Sequence, residues 1–345
     1  MKLSTLLPLA AADPAAAGAH VADLERAGLD LVWVAEPYGF DAPTMLGYLA
    51  AVTSTVQLGA GILPIYSRTP ALTAMTAAGL DRLSGGRAVL GLGASGPQVI
   101  EGWHGVPYDH PVGRTREVID ICRQVWRRER LSYDGTFYQV PLPAGAGTGL
   151  GKPLKMIGEP VRADIPVYLA ALGAKNVELA AAAAQGWMPL FYAPSLAHKV
   201  WGEALRAGLA RRPPELGELQ TCAGGIVAIG EDAAALRDLA RPQLALYIGG
   251  MGAKGRNFYN ELFRRYGYEA EAERIQELFL AGQRREAEAA IPASFLEEVT
   301  VCGPASYVRE RLAAYREAGV TVLNVEPAGP GPLAPDTVAQ LRSLM

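Results

Sequence analysis

The run Gly91-Leu92-Gly93-Ala94-Ser95-Gly96 places three glycines at the end of a short apolar stretch, Ala88 to Leu92. With few side chains to hold a ligand away, backbone N–H groups there can approach an anion or a flat ring closely. The pattern G-x-G-x-x-G also occurs at dinucleotide sites, but those need a helix opening at the last glycine. Here Pro97 and a long loop through Tyr108 to Pro111 are expected instead, which argues against that fold. A second group, Gly173, Ala174, Lys175 and Asn176, follows another apolar run and opens a helix. Its first N–H groups, like those of Gly93, Ala94, Ser95 and Gly96, can hold a phosphate, and Lys175 adds a charge. The chemistry indicated is binding of a large planar ligand with an anionic tail. The four histidines, His20, His104, His110 and His198, are not at ligand spacing. With no H-E-x-x-H, paired-cysteine or G-x-S-x-G motif, neither a metal centre nor a serine hydrolase is expected.

The elements that must position these groups alternate along the chain. Strand signals fall at Leu3 to Leu7, Leu31 to Ala35, Val56 to Leu63, Ala88 to Leu92, Pro166 to Ala170, Trp187 to Leu190, Gln220 to Ile229 and Thr321 to Val325. Helices are expected between them. One begins at Pro70, where a first helical turn accepts proline, and presents Leu72, Met75, Ala78, Gly79 and Leu83 at helical spacing. Tyr133 to Tyr138 reads as a hairpin with an Asp-Gly turn, and Pro141 to Ile165 as a long loop. Eight strands alternating with helices predict an α/β fold, a (β/α)8 TIM barrel with insertions. A single domain over 1–345 is expected, with insertions at about 129–165 and 236–300. Function should then collect at the C-terminal strand ends, which include Glu36-Pro37-Tyr38, Gly61-Ile62-Leu63-Pro64, the Gly93 loop and Phe191-Tyr192.

Composition sets the frame. Half of the 345 residues are apolar and 19% are charged, so a large core can form. The net charge of −3 gives no reason to expect nucleic acid or a membrane surface as partner. Cys122, Cys222 and Cys302 lie far apart and read as reduced thiols of a cytoplasmic protein. The apolar start, Met1 to Ala12, reads as the first strand and not as a signal peptide, since its only basic residue is Lys2.

Several longer runs carry a family likeness: VWVAEPYG, LGAGILPIYSRTP, LSGGRAVLGLGASGPQVIEGWHGVPYDHPVGRTRE, SYDGTFYQV, IPVYLAALGAKN and REAGVTVLNVEP. Over nearly its whole length the chain resembles the bacterial-luciferase-like superfamily, in the branch that uses the deazaflavin coenzyme F420. The resemblance implies a luciferase-like barrel with insertions, usually a homodimer, with the coenzyme across the C-terminal mouth. It also implies a bulge with a cis peptide in the third strand, which by position is Gly61–Ile62. Arg68, after that strand, is then placed to meet the coenzyme tail beside Lys175.

The implied chemistry is hydride transfer. Related sugar-phosphate dehydrogenases carry a His after strand two and a Glu after strand four. Here those places hold Pro37 and Ser95-Gly96-Pro97, so their substrate is not carried over. Reduction of an activated C=C or C=N bond in a small-molecule or peptide-derived substrate fits better, since one proton donor suffices. Tyr38, Glu36 and His104 are the candidates, with Tyr38 as donor and Glu36 orienting it. Two alternatives stand beside this reading: an FMN-dependent monooxygenase of the same fold, and a non-catalytic barrel.

Overall fold

The computed structural model describes residues 1–8, 13–252, 255–329 and 331–345. The end of the apolar N-terminal run, residues 9–12, lies outside the described residues. The first half comprises β1 (Lys2–Leu7), α1 (Pro14–Arg26), β2 (Leu31–Val34), α2 (Ala42–Val52), β3 (Gln57–Ala60), β4 (Leu63–Pro64), α3 (Pro70–Leu83), β5 (Ala88–Gly93), α4 (Pro97–Gly102) and α5 (Pro111–Trp126). A hairpin, β6 (Tyr133–Asp134) and β7 (Gln139–Val140), precedes β8 (Val167–Ala170), α6 (Ala174–Ala183), β9 (Gly186–Met188), α7 (Ala197–Leu209) and β10 (Gln220–Ile229). Six helices follow: α8 (Ala233–Asp238), α9 (Arg241–Gly250), α10 (Phe258–Arg265), α11 (Glu269–Leu280), α12 (Arg284–Ala289) and α13 (Ala293–Val299). The chain ends with β11 (Thr300–Gly303), α14 (Ala305–Glu317), β12 (Val322–Pro327) and α15 (Pro335–Leu344).

Eight parallel staves close the predicted barrel. Around the ring run β1, β2, β3 with its continuation β4, β5, β8, β9, β10 and β12, and β12 pairs β1 to complete it. A ninth strand, β11, was not expected. β9 covers only Gln220 and Thr221 of the long β10, which leaves Ile226–Ile229 free to pair with Thr300–Gly303. Four residues between two helices, without turn residues on both sides, give little sequence signal for a strand.

The barrel is filled by side chains pointing inward at every second position. Leu31, Trp33, Val89, Tyr168, Cys222 and Val322 form this inner cluster, with Leu6 and Met188 against it. Trp33 meets Tyr168 edge-on at 5.5 Å between ring centroids. One layer is polar: Ser4 Oγ donates to Asn324 Oδ1 at 2.9 Å. The indole of Trp33 reaches across to β3 and leaves no room for a side chain there, since a Cβ at Gly59 would lie 2.4 Å from Cζ3.

The helices start where capping residues stand. Asp13, Asp41 and Thr69 each accept an N–H from the first turn of α1, α2 and α3, and each is followed by proline at N1 or N2. Of the expected face of α3 only Ala78 is buried. Thr73, Ala74, Ala77, Ala78 and Asp81 face inward, while Leu72, Met75 and Leu83 are exposed. Small residues let α3 pack closely, and the fully buried Asp81 is bound by Arg162 of the long 141–165 segment. Arg162 Nη2 also donates to the Ala88 carbonyl at 2.6 Å, so this one side chain fixes that segment against the barrel.

Two further expectations change. The β6–β7 turn is wider than a two-residue Asp-Gly turn, because the Glu117 carboxylate accepts the N–H groups of Thr136, Phe137 and Tyr138. A helix, α4, does open directly after Gly96, with Pro97 supplying a preformed first turn. The dinucleotide fold is nonetheless ruled out by closure of the barrel. Among the described residues no helix is long and apolar enough to cross a membrane.

Candidate active site

At the C-terminal mouth, β3 does not run straight. After Ala60 the Gly61–Ile62 peptide is cis, and the strand resumes as β4, pairing Leu63 with Leu92 and Pro64 with Gly93. The Gly61 N–H still reaches the Val34 carbonyl at 2.8 Å, so the bulge remains tied to β2. It also presses on β5. A Cβ at residue 91 would lie 1.8 Å from the Ala60 carbonyl oxygen, a position that only glycine fits. Ile62 lies across Gly93, where a Cβ would be 3.0 Å from its Cδ1 and Cγ1.

Beside this bulge lies a small cavity of about 10 Å³ lined by Leu92, Gly93, Ala94, Thr115, Leu169–Ala171 and Asn176. Two of the predicted groups therefore meet, the Gly93 loop and the start of α6. Gly173 precedes α6 and supplies no side-chain cap, so first-turn N–H groups are left for another acceptor. Lys175 is exposed at the same helix start and forms no ion pair among the described residues. Ser95 turns the chain at φ 58 between Ala94 and Gly96. The apolar surface that Ile62 makes over Gly93, next to an uncapped helix start, suits a flat ring with an anionic tail.

The loop between α4 and α5 closes one side. Tyr66 Oη donates to the Asp109 carbonyl at 2.6 Å, and Tyr108 Oη to that of Ser95 at 3.4 Å. Arg114 pairs with Asp109 at 2.8 Å and lies over the rings of Tyr66, Phe137 and Tyr138 at 5.3–5.9 Å. Its hydrogen bonds hold the Asp109 carboxyl below the usual carboxylate range. His104 sits on this loop with Nε2 buried and without a protein partner.

The proposed proton donors are not assembled as expected. Glu36 is engaged by Arg68, with Arg68 Nη2 on Oε2 at 2.7 Å and Nη1 on Oε1, and Oε2 also accepts the Ala42 N–H at 2.9 Å. Only 9% of the Glu36 side chain and 14% of the Arg68 side chain are exposed. The pair ties the end of β2 to the segment before α3, and the Ala42 bond ties it to α2, so Arg68 is bound here and is not free for a coenzyme tail. Tyr38 is 65% exposed and lies on the rim, 6.4 Å from the exposed ring of Trp103. Glu36 does not orient it.

A group missed in the sequence stands on the opposite side of the mouth. Val322 is in the inner cluster and Asn324 meets Ser4, so alternation turns Glu326 inward at the end of β12. Gln243 Nε2 from α9 donates to Glu326 Oε2 at 3.2 Å. Burial pushes the Glu326 carboxyl above its ordinary value, and this hydrogen bond opposes the shift only in part. Tyr247, one turn along α9, is pushed up first by burial and then by the charge of Glu326. Tyr247 packs edge-on against Tyr259 at 4.7 Å and against Phe191 at 5.3 Å, forming an aromatic wall. Phe191 holds a left-handed φ of 52, and its carbonyl accepts Tyr266 Oη at 2.8 Å. Carrying the eighth strand two residues past Val325 would have found Glu326, since Glu326-Pro327 repeats the Glu36-Pro37 ending.

Comparison with known proteins agrees with this architecture. A Mycobacterium tuberculosis protein named as a coenzyme F420-dependent oxidoreductase is 44% identical over 310 residues, covering 88% of each chain. The 5,10-methylenetetrahydromethanopterin reductase of Archaeoglobus fulgidus is 29% identical over 313 residues, covering 89% of this chain and 88% of the relative. Among solved structures, the coenzyme F420-dependent tetrahydromethanopterin reductase of Methanopyrus kandleri superposes with a TM-score of 0.78 at 21% identity, covering 99% and 96% of the two chains. The sequence profile described as luciferase-like monooxygenase matches residues 1–322, and the chain belongs to that family.

Proposed function

We propose that this chain is a coenzyme F420-dependent oxidoreductase that reduces an activated C=C or C=N bond in a small-molecule or peptide-derived substrate. The observation that carries the reading is the meeting of the Gly93–Ala94 loop with the uncapped start of α6, beside the Gly61–Ile62 bulge at the barrel mouth. The naming of its 44%-identical relative supports the choice of coenzyme. When bound, the deazaflavin supplies a hydride from carbon and, lacking the reactive nitrogen of a flavin, does not activate oxygen.

The chain's own residues divide the remaining work. Ile62 and Gly93 form a flat apolar floor on which a ring can stack. First-turn N–H groups of α6, with Lys175 beside them, meet the anionic tail. Tyr38 and Trp103 on the rim narrow the entrance and exclude water from the bound substrate. The Glu36–Arg68 pair keeps the β2 end in place, and His104 stands in the loop that closes the Ser95 side. The exposed apolar faces of α2 and α3, with Tyr48, Val52, Leu72, Met75 and Leu83, support pairing with a second copy as a homodimer. Three buried free cysteines accord with the cytoplasm.

The test uses chemically reduced coenzyme F420 with a panel of enones, enoates and imines, followed with an oxygen electrode. Coenzyme oxidation should track acceptor reduction one for one, with no oxygen uptake. Oxygen consumption with FMN and no reaction with F420 would favour the monooxygenase alternative.

A further inference from the structure

We infer that Glu326 is the general acid of this site, donating its carboxyl proton to the substrate atom that hydride transfer leaves electron-rich. The inference rests on the oxidoreductase reading above and adds a residue to it. Four observations place the group. It faces inward at the C-terminal end of a barrel stave, level with Ile226 of β10. It forms no ion pair with a Lys, Arg or His among the described residues, in contrast to Glu36. Its one recorded protein partner is the neutral amide of Gln243, which fixes one oxygen and leaves the other. It also adjoins the Phe191, Tyr247 and Tyr259 wall, where a flat apolar acceptor can lie.

Position on the strand decides between the two mouth glutamates. Leu31 and Trp33 point into the barrel, so Glu36, three residues beyond Trp33, points outward to α2 and Arg68. Glu326 shares the inward side with Val322 and Asn324. A carboxyl partly buried among aromatic rings, with no cation beside it, keeps its proton to higher pH than an exposed one. Tyr247 is the titratable group recorded against it, from α9, while Gln243 from the same helix and the paired strands bring no charge.

The step balances. Hydride adds to one atom of the double bond, and the π pair moves to the other. The O–H bond of Glu326 breaks, its proton bonds to that second atom, and the carboxylate regains a proton from solvent. The two electrons come from the reduced coenzyme, which is left oxidised.

Two measurements test this on the full chain with Glu326→Gln, whose amide keeps the shape of the side chain. The first needs no coenzyme. Infrared difference spectra of the protein alone, between about pH 4 and 8, should show a protonated-carboxyl band that persists above the ordinary glutamate range. That band should be missing in the variant. Identical spectra for the two proteins would overturn the assignment. The second uses reduced F420 with 2-cyclohexen-1-one. Glu326→Gln should lower kcat by about 10²–10⁴-fold while the Kd for F420 and the KM for the enone stay near wild type. An unchanged kcat, or a loss confined to KM, would also overturn it. Wild-type protein that binds no F420 would sink the oxidoreductase reading, while the infrared titration still decides the state of Glu326.

Discussion

Replacing Arg68 by alanine separates the role the sequence suggested from the one the structure assigns. The Glu36 carboxylate is 9% exposed and accepts from both terminal nitrogens of Arg68, with the Ala42 N–H as its other donor. Arg68→Ala leaves that carboxylate buried with the single Ala42 bond. Breaking a buried pair from one side costs about 3–5 kcal/mol. The retained backbone bond and the partial exposure of Arg68 place this case near the lower end, at about 3 kcal/mol. Urea unfolding followed by tryptophan fluorescence reads it as a lower midpoint at an unchanged slope. The double variant Arg68→Met, Glu36→Gln strands no charge and should regain most of the loss. F420 affinity of the folded single variant should fall no more than that of a ring-only fragment. Normal stability together with a selective loss of full-length coenzyme binding would refute the structural role and return Arg68 to the tail.

Other consequences are open to equally direct tests. Gly91→Ala sets a methyl 1.8 Å from the Ala60 carbonyl oxygen, and should destabilise by about 3 kcal/mol and displace the bulge. Wild-type melting and coenzyme affinity for that variant would mean that β3 has room to move. Lys175→Ala should weaken full-length F420 by about 1.5–3 kcal/mol and the ring-only fragment little, because the lost contact is charge-assisted. Equal losses in calorimetric titration would place the tail elsewhere. The carboxyl of Glu326 is raised in the folded state, so its ionisation opposes folding as pH climbs from the unfolded value through the folded one. Glu326→Gln should therefore match wild-type stability at about pH 4 and exceed it at about pH 8, and the opposite trend would contradict the burial argument. Leu83→Glu, on the exposed outer face of α3, should shift sedimentation toward the monomer, and an unchanged species would contradict the proposed homodimer contact on this face.

Elements with a clear period and clear ends were legible in the sequence. The ten residues of β10 and the start of α3 at Pro70 sit where the apolar run and the proline put them. The β3 bulge was legible only through the family likeness, because Gly61 alone has many uses. Side-chain direction was the weak point. Apolar spacing on α3 suggested Leu72, Met75 and Leu83, yet alanines and Asp81 face the core, since close approach and the Arg162 pair outweigh side-chain size there. The same weakness affected the site. Glu36 and Glu326 both precede a proline at a strand end, but the barrel's alternation turns one outward to Arg68 and the other into the mouth. That alternation depends on the register of each stave, which a strand signal ending at Val325 does not reveal. Residues from α9 and α10 reach the mouth through the helical insertion, so Gln243, Tyr247 and Tyr259 read in sequence as ordinary helix packing.

The most direct test of the account is an equilibrium titration of the purified chain with oxidised F420 and with FMN, side by side. The account predicts saturable one-to-one binding of F420 per chain, with FMN at least about 100-fold weaker. Tighter binding of FMN, or no binding of either, would contradict it.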